Sequence, residues 1–281
     1  TIALPQGESI TLEPVVRTRG RIGLKDFDPC TILLNNDLSA GAPGILEDLH
    51  EQYLLPPLHA GWSMRRNSTH FKCYEELAKR FGKLIGIDHW LIHPMFDSCG
   101  SLDLATDAGL QLLSRSVEAM LVKIRKKYKE YGIKEKPFVV VKADNRSNGM
   151  GLLTVRDVAQ LAVLRQGATA AVDMVLQEGV LTNERVNDAV AEPVVYMLDR
   201  YVVGGFYRVH AERSVDENLN APGAHYVPLA FAESTHLPQP GMRPGASAPN
   251  RFYMYGVVAR LAMLAASYEL EATDPHGEQY A

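Results

Sequence analysis

The stretch that most constrains this chain is Pro137-Phe-Val-Val-Val-Lys-Ala-Asp-Asn-Arg-Ser-Asn-Gly-Met-Gly-Leu-Leu-Thr-Val155. Residues 138–141 are an apolar run rich in β-branched side chains behind a proline, and a second run begins at Leu152. Two strands joined by a polar turn are expected. Gly149 and Gly151 remove Cβ atoms where the chain reverses, which lets backbone N–H groups approach an anion closely. Lys142, at the end of the first strand, would set a compact ammonium beside that turn, well suited to phosphate oxygens. A glycine hairpin is equally a common structural turn, and on this stretch alone both readings stand.

Two later stretches add to it. Asp173-Met-Val-Leu-Gln-Glu-Gly-Val180 reads as a strand ending in Gln177-Glu178-Gly179, and residues 194–210 read as a hairpin turning at Gly204-Gly205. The order is strand with lysine, glycine hairpin, helix, strand ending in Gln-Glu, and hairpin with arginines. It resembles the nucleotide-binding half of the ATP-grasp fold. Val215-Asp-Glu-Asn-Leu-Asn-Ala-Pro-Gly223 is similar to the Asn-Leu loop that glutathione synthetases place near phosphates and magnesium. More specific still are Glu192-Pro-Val-Val-Tyr-Met-Leu-Asp-Arg-Tyr-Val-Val-Gly-Gly-Phe-Tyr-Arg-Val-His-Ala-Glu-Arg213, Asp216-Glu-Asn-Leu-Asn-Ala-Pro-Gly223 and Asn250-Arg-Phe-Tyr-Met-Tyr-Gly-Val-Val-Ala-Arg260. From about Leu33 onward the chain resembles the proteobacterial type of glutamate–cysteine ligase.

The resemblance implies an α/β (α+β) fold of ATP-grasp type. It implies an N-terminal α/β substrate-binding domain over residues 1–135 and an antiparallel-sheet nucleotide-binding domain over residues 136–281. ATP would lie with its phosphates under Asn148, Gly149, Met150 and Gly151 and beside Lys142, and its adenine against Gln177, Glu178, Gly179 and Val180. Arg208 would hold phosphoryl oxygens, with Arg200 either helping or standing as a strand-edge surface group. Magnesium takes hard oxygen ligands, for which Glu212, Glu217, Asn218 and Asn220 are the candidates. Many ATP-grasp proteins carry a late Glu-x-Asn metal motif, and none stands after Tyr226 here. A rearranged metal site and plain loop acids therefore both remain open. The implied activity is ATP-dependent joining of the glutamate γ-carboxylate to cysteine through an acyl phosphate, the first step of glutathione biosynthesis. A glutathione-synthetase-like or other carboxylate–amine ligase, and a nucleotide-binding regulator without turnover, are the alternatives.

A glutamate substrate needs guanidinium forks for its carboxylates and amide or hydroxyl groups for its ammonium. His59-Ala-Gly-Trp-Ser-Met-Arg-Arg-Asn-Ser-Thr-His70 offers Arg65 and Arg66 amid such groups. Residues 31–34 read as a short buried strand, and Asn35, Asn36 and Ser39 lie in the polar loop after it, where α/β folds place ligand groups. Solvated arginines and an ordinary turn are the plain alternatives.

Elsewhere, apolar spacing predicts helices over residues 71–85, capped by Ser68 or Thr69, and from Thr106 or Asp107 to just before Gly132. Residues 45–53 are helix-like, residues 90–94 strand-like, residues 97–100 a turn, residues 226–231 a strand and residues 257–270 a helix. Residues 1–29 read as short strands or coil, and the proline-rich residues 236–250 as a loop.

With 281 residues and 46% hydrophobic content the chain can bury a sizeable core. A formal net charge of −4 argues against nucleic acid or an anionic membrane as the main partner. Cys30, Cys73 and Cys99 are too few and too scattered for a disulfide framework or zinc site, and fit reduced thiols in the cytoplasm. No apolar run reaches bilayer length, and the start lacks a secretory pattern. Small-molecule substrates are the expected partners, and a homo-oligomer is compatible. Walker A, Gly-x-Gly-x-x-Gly, His-Glu-x-x-His and Gly-x-Ser-x-Gly patterns are absent.

Overall fold

The computed structural model describes every residue except Arg19, His50 and residues 146–151, 168–169, 230–250 and 276–281, and the backbone alone at residues 166–167 and 251–252. The chain divides into two compact units, Thr1–Arg65 and Arg66–Ala281.

The first unit is built from strand pairs. β1 (Ile2–Ala3) and β2 (Ser9–Ile10) are antiparallel, as are β3 (Val16–Thr18) and β4 (Arg21–Gly23). β5 (Thr31–Leu33) runs parallel to β6 (Tyr53–Leu55). Pairs this short need side-chain ties. The buried Gln52 amide supplies one, accepting from Ile22 N–H at 2.6 Å and donating to Ile22 O at 2.7 Å. Two expectations are corrected here. Residues 31–34 do not form a buried strand, since Leu33 is 77% exposed. Residues 45–53 do not form a helix, because after one 3₁₀ turn, Gly44–Leu46, Asp48 takes a φ of 53° and leaves the helical path.

In the second unit α1 (Asn67–Ile85) follows its apolar spacing and ends at Gly86, whose φ of 74° suits a residue without Cβ. A 3₁₀ turn (His89–Leu91) replaces the strand expected at residues 90–94, and the expected turn at residues 97–100 lies inside a strand, β7 (Phe96–Leu102). β7 is an edge strand, which tolerates its exposed polar side chains Asp97 and Ser98. α2 (Asp107–Glu130) starts as expected, with Thr106 Oγ1 accepting the Gly109 N–H at 3.1 Å.

β8 (Val139–Ala143) and β9 (Leu153–Val155) pair antiparallel, as the strand–turn–strand pattern requires. A 3₁₀ segment (Val158–Gly167) leads to β10 (Val172–Glu178), which lies between β7 and β8 in the sheet order β7-β10-β8-β9. The sheet therefore runs across the expected division near residue 135. Alternation sorts its two faces: Val139, Val141, Met174 and Leu176 pack against Leu113, Val117, Met120, Leu121 and Ile124 of α2. Each fully buried aliphatic side chain contributes about 1.5–3 kcal/mol, so this face anchors the unit.

β11 (Arg185–Val186), β12 (Ala189–Leu198), β13 (Tyr201–His210) and β14 (His225–Pro228) form a second antiparallel sheet in chain order. The β12–β13 hairpin does not turn at Gly204-Gly205. It turns at Asp199-Arg200, where Asp199 takes a φ of 52°, and the glycines pair with Tyr196 and Val195 beside a register shift. Glycine in a strand often marks such an irregularity. α3 (Arg251–Thr273) packs on α1, with Ala265, Leu261 and Ala262 against Tyr74, Leu77 and Ala78. The structure is thus a mixed α/β arrangement with antiparallel sheets.

Candidate active site

Lys142 and Gln177 leave β8 and β10 on the face opposite α2. The Lys142 ammonium donates to Gln177 Oε1 at 2.9 Å and lies 5.0 Å from the centre of the Phe71 ring on α1. Burial pushes its pKa down, and the Asp144 carboxylate opposes that shift. This half-buried cation has a neutral amide and an aromatic face as its closest partners. Such a group is short of negative charge and favours an anionic ligand.

At the far end of β10 the Glu178 carboxylate is almost fully buried. Its Oε2 accepts from the Trp90 indole N–H and the Met95 N–H, both at 2.9 Å. Desolvation raises its pKa, and those two donors act against the rise. Gly179 is fixed by packing: an added Cβ would fall 2.0 Å from ring carbons of Phe138, and its N–H donates to Phe138 O at 2.9 Å. Beyond it Val180 and Leu181 leave the sheet. Glu178, Gly179 and Val180 line a cavity of about 570 Å³, with Trp90, Ile92 and Tyr128 supplying much of its apolar wall. That volume, mostly apolar with a few polar groups, suits an aromatic heterocycle. Asn148, Gly149, Met150 and Gly151 lie outside the described residues.

The two expected arginines do not converge. Arg208 pairs with Glu192 across the β12–β13 hairpin, and its Nε is buried with no hydrogen-bond partner among the described residues. Arg200 stands exposed at the hairpin tip, stacked on Tyr201, with its carbonyl accepting from Arg260 Nε at 3.0 Å. Eight strand residues separate them by roughly 25 Å, so a single phosphoryl group cannot touch both.

The four candidate magnesium ligands share one loop, and the side chains of two of them, Glu217 and Asn218, are engaged locally. Glu217 accepts from Arg213, from Ser214 N–H and from the Ser214 hydroxyl, each at 2.8 Å. These contacts, the Ser214 backbone first, hold its carboxyl at about 2. Asn218 Oδ1 accepts Asn220 N–H at 2.9 Å, and Glu212 is exposed. Among the described residues no three His, Cys, Asp or Glu side chains group closely enough to hold a metal ion.

In the first unit, Asn36 Oδ1 accepts Leu38 N–H at 2.8 Å, and Asp37 Oδ1 takes the Ser39 N–H and hydroxyl at 3.0 and 2.8 Å. Asn35, Asn36 and Ser39 are exposed. Trp62 N–H and Ser63 N–H donate to Asp37 O and Leu38 O, which brings this loop to the segment carrying Arg65. Arg65 stacks over Trp62, its guanidinium carbon 5.2 Å from the ring centre. Arg66 begins the second unit as the N-cap residue of α1 and pairs with Asp173 at 2.8 Å.

Sequence reading missed the cap of α1. Neither Ser68 nor Thr69 caps it, and Ser68 is itself helical. The cap comes from Asp144, whose Oδ1 accepts Ser68 N–H at 2.7 Å and whose carbonyl accepts Asn67 N–H at 3.0 Å. A carboxylate 76 residues away leaves no local pattern that could have announced it.

A family model described as "Glutamate-cysteine ligase", GshA, matches residues 1–270. The chain belongs to the GshA glutamate-cysteine ligase family. A crystal structure at 1.90 Å resolution of a protein from Methylobacillus flagellatus KT, proposed as a gamma-glutamylcysteine synthetase, is 51% identical with a TM-score of 0.82. The match covers 96% of this family member and 66% of that protein, so the chain spans just under two thirds of its relative's length. A comparison with curated proteins gives no match. No helix among the described residues is long and apolar enough to cross a membrane, and the three cysteines are free thiols.

Proposed function

We propose that the chain is an ATP-dependent glutamate–cysteine ligase of ATP-grasp type. The observation that carries the reading is the half-buried Lys142 ammonium on the sheet face opposite α2, partnered by a neutral amide in a member of this family. Nucleotide phosphates would supply the negative charge it lacks, and adenine would enter the cavity beside Glu178, Gly179 and Val180.

Hydroxide is a poor leaving group at neutral pH, so a carboxylate must be activated before an amine can displace an oxygen from it. A γ-carboxylate oxygen of glutamate attacks the terminal phosphorus of ATP, and the bond to ADP breaks. The cysteine amine then attacks the acyl carbon, phosphate departs, and the nitrogen gives up a proton. The chain's own contribution is positioning and charge neutralisation. Lys142 holds phosphoryl oxygens. Arg208 is the second cation for that role. Asn35, Asn36, Ser39, Arg65 and Arg66 are proposed for glutamate. The expected division at residue 135 then separates amino-acid groups from nucleotide groups by function. Magnesium is expected to accompany the nucleotide. Reduced thiols fit a cytoplasmic setting.

Purified protein given ATP, Mg²⁺, glutamate and cysteine should release ADP, phosphate and γ-glutamylcysteine. Turnover only with a different amino-acid pair would replace the substrate assignment. ATP binding without any turnover would replace the ligase assignment with a regulatory one.

A further inference from the structure

We propose that Asp144 is a positioning residue for the nucleotide, fastening the start of α1 to the end of β8 so that Lys142 and Arg66 are held at one corner of the sheet. The inference rests on the ligase reading for the roles of Lys142 and Arg66, while the anchor itself is geometric. Asp144 is 5% exposed and stands two residues after Lys142, where β8 runs into residues 146–151.

Every polar group of Asp144 is engaged. Oδ1 accepts Ser68 N–H at 2.7 Å and Oδ2 accepts the Ser68 hydroxyl at 2.6 Å. Its carbonyl accepts Asn67 N–H and the Asn67 side-chain amide at 3.0 and 2.7 Å, and its own N–H donates to Asp173 O at 2.8 Å. The first turn of a 19-residue helix, which would otherwise offer unsatisfied N–H groups and a partial positive charge, is thereby closed by the protein's own carboxylate. The first two N–H groups of that terminus are thereby taken by Asp144.

Two groups of the proposed chemistry depend on this joint. Arg66, at the N-cap, reaches Asp173, the residue whose carbonyl takes the Asp144 N–H. Phe71, on the second turn of α1, is the aromatic face over Lys142. The groups facing Lys142 are the Gln177 amide from β10, the Phe71 ring from α1 and the Asp144 carboxylate of its own segment, the charged group that favours its protonated form. Nearby, Arg66 at the N-cap of α1 and Asp173 on β10 neutralise each other.

Two substitutions separate this role from a merely structural one. Asp144→Asn keeps an acceptor for Ser68 N–H and gains a donor for the Ser68 hydroxyl, but loses the charge. Ser68→Ala removes one hydrogen bond and keeps the charge. Melting temperature, its rise with added ATP, and kcat/KM for ATP against pH are measured for both variants and the wild type. Asp144→Asn should melt near the wild type yet lose ATP protection and roughly tenfold or more in kcat/KM, with the high-pH limb moved to lower pH. Ser68→Ala should leave that limb in place. An unmoved limb with wild-type kcat/KM in Asp144→Asn overturns the inference, as does a loss in both variants that merely follows their melting temperatures. If the wild type makes no dipeptide, the ligase reading fails. Loss of ATP protection in Asp144→Asn then still upholds the nucleotide role, and its retention overturns it.

Discussion

Gly179→Ala is the substitution whose consequence the surrounding packing fixes most closely. A Cβ built there lies 2.0 Å from Cδ2 and Cε2 of Phe138 and 2.5 Å from Cζ. Carbon atoms pack at about 3.5–4.0 Å, so the overlap is about 1.5 Å or more along one ring edge. The ring cannot yield: Phe138 is 2% exposed, and the Arg156 guanidinium carbon stands 4.9 Å from its centre. The two backbones are also tied by the Gly179 N–H to Phe138 O bond, which separation would stretch. Overpacking costs about 1–3 kcal/mol and the hydrogen bond about 1 kcal/mol. Reduced freedom of the unfolded chain returns about 0.4–1 kcal/mol. A net loss of about 1–3.5 kcal/mol should lower the melting temperature by roughly 2–14 °C in a chain of this size. Because Gly179 lines the cavity, KM for ATP should rise as well. The decisive control is Phe138→Ala: in that background the alanine at 179 has room and should cost almost nothing, giving a coupling about equal to the single loss. A Gly179→Ala protein that melts within about 1 °C of the wild type, or an equal penalty in both backgrounds, would refute the packing argument.

Lys142→Met should lower kcat/KM for ATP by about 10²–10³-fold with melting temperature preserved or raised, since a desolvated charge is removed; steady-state kinetics and a thermal melt check both. Arg65→Ala should raise KM for glutamate by about 10–100-fold with far less effect on ATP, as expected for a charged hydrogen bond to a carboxylate, and the reverse pattern would assign Arg65 to the nucleotide. Asp88 accepts from Lys127, Trp90 N–H and the Tyr131 hydroxyl, with Lys127 first in holding its carboxyl down at about 2 from an ordinary 3.8. A depressed folded pKa stabilises above about pH 4, and the benefit disappears as pH falls from 4 to 2. Asp88→Asn should therefore cost about 1 kcal/mol at pH 7 after solvent screening and nothing near pH 2, read from urea melts across that range; a pH-independent difference would disprove the linkage.

Periodic signals were legible. Helical spacing marked α1 and α2, and β-branched runs around a glycine turn marked β8 and β9, because one buried face imposes a regular pattern on the chain. Signals that depend on distant partners were not. β7 reads as a turn because Asp97, Ser98 and Gly100 are turn residues, and only its place at the edge of the sheet makes a strand of them. Gly204 and Gly205 look like a hairpin tip, yet the bend belongs to Asp199, a residue able to adopt a left-handed conformation without being glycine. Within the candidate site, Lys142 and Gln177 were both expected and stand in hydrogen-bond contact. Asp144, the Glu192 partner of Arg208, and the Trp90 and Met95 donors to Glu178 escaped notice, since each acts across 16 or more residues of sequence.

The alternation of β8 also dictates which insertions this chain can tolerate. Val139 and Val141 belong to the core beneath the sheet, whereas Lys142 belongs to the other side, so what matters along this strand is odd and even. Adding or deleting one residue between Val139 and Lys142 would turn the ammonium into hydrocarbon and a valine onto the opposite face. Changes in pairs would preserve the parity of the strand, and a chain of this kind should accept length variation more readily where no such parity is counted.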